Sequence, residues 1–336
     1  MAMANAAGAS GPVPFKDVDD GAVPEDNPKE EFGDLVSALP RRDVSFHEQR
    51  LYQGFWMPVN WALGTIIFQR RFAQRPDDVL LASYPKCGTT WLKALAFAVM
   101  ARDAHPPSEP DHPLRRLNPH GCVPFIEEIF ASGEARKLER LPSPRLMSTH
   151  LPHTLLPDSV TTGRCKVVYV CRDPKDTVVS MWHFFQHQVN NPFPDTFEAV
   201  CDGTVTLGPI WEHVLGYWRA SVARPDRVLF LKYEDLLRDP GAGVRKFAEF
   251  TGLPFSAAEE DAGIVASIVE LCSFDKMKGL EVNKSGTVGA YIGFPSNSFF
   301  RKGVAGDWAN HMTPEMAARL DEIVRDKFQG TGLAFP

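Results

Sequence analysis

Tyr84-Pro85-Lys86-Cys87-Gly88-Thr89-Thr90-Trp91 puts an ammonium, a glycine and two hydroxyls within one short stretch. Backbone N–H groups of such a loop, at the start of a helix, converge on one point and with Lys86, Thr89 and Thr90 could cradle a phosphate. The order differs from GxxxxGK[ST], in which Lys follows the second Gly, because here Lys86 precedes Gly88. A capped turn carrying a solvated lysine is the plain alternative. Two further segments weigh against it. Arg172 ends a β-rich run and Ser180 falls two helical turns beyond it, so a guanidinium and a hydroxyl could hold a second phosphate. Phe299-Phe300-Arg301-Lys302-Gly303 sets two cations beside a glycine and two aromatic rings on an expected loop, able to grip a phosphate and a base together. His183 and His187 are spaced i, i+4, but no Glu follows His183 in the HExxH manner, so no metal is expected.

The elements that must carry these residues follow from local pattern. Val79-Leu80-Leu81-Ala82-Ser83 is a short apolar run that meets the turn, and helical spacing starts at Thr89 with Trp91, Leu92, Leu95 and Met100. Lys166 to Cys171 is a second strand, followed by Asp173 as N-cap and Pro174 in the first helical position. Arg227 to Lys232 makes a third. Helical patterns are expected near 209–220, 243–250, 257–271 and 314–328. Strands alternating with helices predict a single α/β domain with a central parallel β-sheet flanked by helices. Residues 103–144 read as irregular loops with one helical stretch near 125–130, and residues 276–306 as a long functional loop. Residues 1–40 read as a flexible N-terminal arm, and 41–336 as the domain.

With 336 residues and 44% hydrophobic content, the chain can bury a large core. A net charge of -6 argues against a nucleic-acid binder, since counterion release needs a dense basic surface. The six cysteines include no CxxC pair, no early apolar segment precedes a cleavage site, and no run of about 18 apolar residues occurs. A cytoplasmic protein with no membrane partner is expected.

YPKCGTTW at 84–91, CRDPKDTVVS at 171–180, KYEDL at 232–236 and RKGVAGDW at 301–308, four blocks in order, resemble the cytosolic sulfotransferases, particularly their plant branch. The resemblance implies the P-loop-like sulfotransferase fold and 3′-phosphoadenosine 5′-phosphosulfate as donor. It places Lys86, Gly88, Thr89, Thr90 and Trp91 around the phosphosulfate and adenine. Arg172, Ser180, Arg301, Lys302 and Gly303 would take the 3′-phosphate, with Tyr233, Cys272, Ser273, Phe274 and Phe300 near the nucleotide. His150, in Ser148-Thr149-His150-Leu151-Pro152, would be the general base, and Lys86 would neutralise charge on the bridging oxygen as the sulfur–oxygen bond breaks. Animal members often carry Lys two residues before this His, where this chain has Ser148, which shifts the burden onto Lys86 and backbone donors. Cys87 replaces a common Ser and reads as a small buried thiol, or as an oxidisable one. Of the dimer motif after Gly-Asp-Trp only Thr313 fits, so a monomer or weak homodimer is expected.

The implied acceptor is a small hydroxyl compound, flavonoid, phenolic, steroid-like or a hydroxylated lipid. Its walls are expected from 56–61, 120–125, 182–187 and the loop after Lys276. A P-loop kinase would need a Ser or Thr after the loop Lys to hold Mg²⁺, and Cys87 stands there. A catalytically silent nucleotide-binding protein would have no need of His150.

Overall fold

The computed structural model describes residues 11–19, 27–44, 47–186, 190–289 and 293–335. Among them the strands are β1 (Arg41–Val44), β2 (His47–Tyr52), β3 (Phe55–Pro58), β4 (Val79–Ser83), β5 (Leu146–Thr149), β6 (Lys166–Cys171), β7 (Val228–Lys232), β8 (Thr287–Val288) and β9 (Phe294–Pro295). β5-β4-β6-β7 form the central sheet, every pair parallel. Val79 sits opposite both Leu146 and Lys166, and Val167 opposite Val228.

This sheet is buried on both faces because its strands alternate between two apolar layers rather than between oil and water. Leu80, Ala82, Val167 and Tyr169 pack with Ile66, Ile67, Phe130 and Tyr217 on one side. Leu81, Val168, Val170 and Leu229 pack with Leu95, Phe97, Val244 and Ile268 on the other. The first layer is supplied by helices Val59–Arg71, Ile126–Ser132 and Ile210–Ala223. The second comes from Thr89–Met100, Pro240–Thr251 and Ile264–Leu271. The architecture is the expected α/β domain.

Several elements depart from expectation. β5 is a fourth parallel strand, at residues to which the sequence assigned no element, and its Leu-Met-Ser-Thr sequence carries no β pattern. It is fully buried because its polar side chains find partners: Ser148 Oγ donates to Pro124 O at 2.9 Å and Thr149 Oγ1 to Glu127 Oε1 at 3.0 Å. β1, β2 and β3 form an antiparallel meander whose charged sequence hid it. Residues 103–144 hold four short helices rather than one. The expected loop 276–306 includes helix Glu281–Lys284, the β8/β9 pair and a 3-10 turn at Ser296–Phe299.

Part of the expected N-terminal arm packs into the domain. Phe15, Phe32 and Val36 enter the core, the last two from helix Pro28–Ser37. Their apolar area outweighs the polar composition that suggested an arm. Residues 1–10 and 20–26 lie outside the described residues.

Helices Val59–Arg71 and Ile126–Ser132 touch through Gly64, where a Cβ would come within 2.0 Å of Glu127 O. Gly64→Ala is therefore expected to force these helices apart and cost at least ~1–3 kcal/mol. A fall in thermal midpoint, together with lost activity, would register it.

Candidate functional site

β4, β5, β6 and β7 run parallel, so their carboxyl ends lie on one edge of the sheet, where α/β folds place ligands. From those ends come Lys86, His150, Arg172 and Tyr233. The loop after β4 makes its turn at Lys86 (φ 69) and Gly88 (φ 97), and Gly88 caps helix Thr89–Met100. A Cβ at Gly88 would meet the Tyr233 ring at 2.7 Å. The glycine thus serves both the backbone conformation and close packing.

One cavity of about 1510 Å³ is lined by all sixteen of the expected site residues. These are Lys86, Gly88, Thr89, Thr90, Trp91, His150, Arg172, Ser180, Tyr233, Cys272, Ser273, Phe274, Phe300, Arg301, Lys302 and Gly303. Nothing in their sequence spacing required that convergence.

The Lys86 ammonium lies 3.6 Å from the Phe184 ring centroid and 5.4 Å from that of Phe299. Burial pushes its pKa down to about 7, and Arg172 and Arg301 add repulsion.

His150 follows β5 directly. Its Nδ1 lies 2.8 Å from Ser83 O, a carbonyl that can only accept, so Nδ1 carries the proton and Nε2 keeps its lone pair. Trp61 and Phe125 stand 5.8 Å and 5.0 Å from the imidazole, centroid to centroid. Desolvation pushes the pKa of His150 down to about 3, although the Ser83 bond works the other way. The ring is neutral, and able to accept a proton, across the physiological range.

The backbone of His150 is clamped. Its N–H donates to Glu127 Oε1 at 2.7 Å, and its carbonyl accepts from His213 Nε2 at 2.8 Å. Burial raises the Glu127 carboxyl to about 8.

Arg172 donates to Val304 O at 2.8 Å, pairs with Asp176 at 3.3 Å and lies 4.8 Å over the Tyr233 ring. Its Nε–H is buried with no hydrogen-bond partner among the described residues, an unfilled donor of the kind an anion satisfies. Asp176 also accepts from Gly306 N at 2.7 Å and Trp308 N at 3.0 Å, which ties the Arg301 loop to the Arg172 helix. Arg301 and Lys302 each reach Asp307 at 2.6 Å. Trp91 meets Tyr233 edge-on, with centroids 5.8 Å apart.

His183, Asp307 and His311 bring ligand atoms within 4.8 Å of one another. The Asp307 oxygens already hold Arg301 and Lys302, so a metal there would face two fixed cations, and Asp307 is better read as the anchor of that loop. His187 lies outside the described residues. Cys87 is buried and its thiol is pushed up to about 11, both of which favour the small buried thiol.

Of the segments expected as walls, 56–61 reaches the cavity through Pro58, Asn60 and Trp61 but not Trp56, 120–125 through His120, Gly121, Pro124 and Phe125, 182–187 through Trp182 to Gln186, and the loop after Lys276 through Met277, Lys278, Phe294 and Phe299 among others. Phe15, Gln49 and Thr206 line it as well, without prior signal. Glu127, Asp176 and Asp307 were also missed. Their sequence signal is slight, since an acid in a helix is ordinarily solvated.

A family model described as the sulfotransferase domain matches residues 76–332. Cytosolic sulfotransferase 5 of Arabidopsis thaliana is 43% identical over 315 residues, covering 91% of this chain and 97% of the relative. The flavonol 3-sulfotransferase of Flaveria bidentis is 41% identical over 311 residues, covering 89% and 98%. A crystal structure of a mouse sulfotransferase complexed with PAP superposes with a TM-score of 0.66 at 28% identity, covering 84% of this chain and 94% of that one.

Proposed function

The chain belongs to the sulfotransferase family, and from that premise we propose that it moves a sulfuryl group from 3′-phosphoadenosine 5′-phosphosulfate to a hydroxyl of a small, largely apolar acceptor. One observation carries this reading: a histidine with a fixed, unprotonated Nε2 shares a cavity with a desolvated lysine and a separate arginine–lysine cradle. The cavity exceeds the ~300–1,000 Å³ of a single small-molecule site, which suits two substrates side by side.

In the proposed reaction the acceptor oxygen attacks sulfur, His150 Nε2 takes the acceptor proton, and the bond from sulfur to the bridging oxygen breaks. The electron pair leaves with the 3′,5′-bisphosphate. Lys86 donates to that bridging oxygen as its charge grows. Arg172, Ser180, Arg301, Lys302 and Gly303 hold the 3′-phosphate, while Thr89, Thr90 and the Gly88 backbone hold the 5′-phosphate. Trp91, Tyr233 and Phe274 flank the base, with Cys272, Ser273 and Phe300 behind it. Trp61, Phe125, Phe184 and Phe299 form aromatic walls that favour a flat phenolic, flavonoid or steroid-like acceptor. No described helix is long and apolar enough to cross a membrane, and the cytoplasm is the expected compartment.

The direct test is release of the 3′,5′-bisphosphate from the donor across a panel of phenols, flavonoids, sterols and hydroxy acids. Turnover with any member supports the reading; tight donor binding without turnover across the whole panel would point to a silent binder. Arg301→Ala is expected to weaken donor binding ~10–100-fold, as loss of a charge-assisted contact, with kcat nearly unchanged at saturating donor. A loss confined to kcat would reassign Arg301 to the chemical step.

A further inference from the structure

We propose that Lys93, acting through His120, is a positioning residue that makes the Thr90 hydroxyl an obligatory hydrogen-bond donor toward the anionic donor substrate. The inference rests on the sulfotransferase reading above.

Lys93 is 1% exposed yet stands on the helix that begins with Thr89 and Thr90, among Leu92, Ala94, Leu95 and Ala96. A buried ammonium is costly unless something is gained from it. Its Nζ lies 3.0 Å from His120 Nδ1 and 3.2 Å from Val123 O. The other ring nitrogen, Nε2, lies 3.0 Å from Thr90 Oγ1. All three side chains line the cavity.

The direction of this chain follows from donor counting. Below about pH 7, the value to which burial lowers Lys93, its side chain is an ammonium with three N–H bonds and no lone pair, so there His120 Nδ1 must accept. A neutral imidazole that accepts at Nδ1 carries its proton on Nε2, and that proton goes to Thr90 Oγ1. One of the two threonine lone pairs is thereby engaged, and because the hydroxyl hydrogen is not used toward His120 it is left to donate elsewhere. His120 stays neutral, because burial and the adjacent Lys93 charge hold its pKa well below the usual range.

Without the ammonium, His120 can hold its proton on Nδ1 and take the Thr90 hydrogen at Nε2. The hydroxyl would then present oxygen to an anion, turning an attraction into a repulsion. Lys93 touches neither substrate in this account; it sets the sense of a hydrogen bond two links away.

The test joins a tautomer measurement to a double-mutant cycle. In ¹⁵N-histidine NMR of the wild-type protein at pH ~6, where Lys93 is charged, the His120 signal, identified by its loss in His120→Gln, is expected to report a proton on Nε2. In Lys93→Met it should shift toward Nδ1–H. Affinity for the 3′,5′-bisphosphate should fall about tenfold in Lys93→Met and in Thr90→Val, with Lys93→Met/Thr90→Val no weaker than the weaker single variant. A wild-type proton on Nδ1, or additive losses in the cycle, would overturn the proposal. If Lys93→Met does not fold, the wild-type tautomer alone decides it. Absence of any bisphosphate affinity in the wild-type protein would instead reject the sulfotransferase reading, and the tautomer would still stand as a separate result.

Discussion

His150→Ala is expected to lower kcat ~10²–10⁴-fold, the usual worth of a positioned general base, while bisphosphate affinity changes less than about twofold. The separation follows from position. His150 is held by Ser83 and Glu127 and faced by Trp61 and Phe125, none of them among the residues proposed to hold the nucleotide, and its free Nε2 is the atom removed. The pH profile should bear the same mark. Because the imidazole pKa is depressed to about 3, the base is unprotonated throughout the range in which an ordinary histidine would charge. Acid inactivation of kcat/KM with a midpoint near 6.5 would show that the depression is lost in the working enzyme, whereas a His150→Ala variant that keeps most of its rate would contradict the assignment itself.

Lys86→Met is expected to have an effect of similar size on kcat, ~10²–10³-fold, because it deletes a preorganised charge aimed at the leaving oxygen. It also makes a linked prediction about protons. The Lys86 ammonium of the free protein is depressed to about 7 by burial and by Arg172 and Arg301. A bound phosphosulfate or bisphosphate would raise that pKa, so at pH above 7 binding must take up a proton, and affinity must fall as pH rises from that point. By linkage the fall approaches about tenfold per pH unit until the pKa of the complex is reached. Calorimetric titration in two buffers of different ionisation enthalpy measures the uptake. It should shrink in Lys86→Met; uptake unchanged by the substitution would move the titration to another group, Lys93 being the first to examine because burial lowers it to about 7 as well.

The three strands at 79–83, 166–171 and 228–232 were legible because a strand buried on both faces is a largely apolar run, and the first two ended in recognisable turn or cap chemistry. The last helix, expected near 314–328, is Pro314–Phe328, and the structure adds that the Thr313 side chain caps it with Pro314 in the first position. β5 was not legible, since its Ser148 and Thr149 satisfy their hydroxyls through Pro124 and Glu127, partners more than twenty positions away in the chain.

Candidate ligands for phosphate were determined by the sequence itself, because lysine, arginine and glycine next to strand ends and helix starts have a local physical meaning. The resemblance of four blocks then assigned His150, which no local pattern distinguishes from any other histidine. Only the tertiary structure decided the rest. Desolvation of Lys86 and His150, the tautomer imposed by Ser83, the tie from Asp176 to the 301–308 loop and the Lys93–His120–Thr90 chain all join residues distant in sequence. Burial and hydrogen-bond direction depend on what surrounds an atom in space, and a neighbour list along the chain carries little of that.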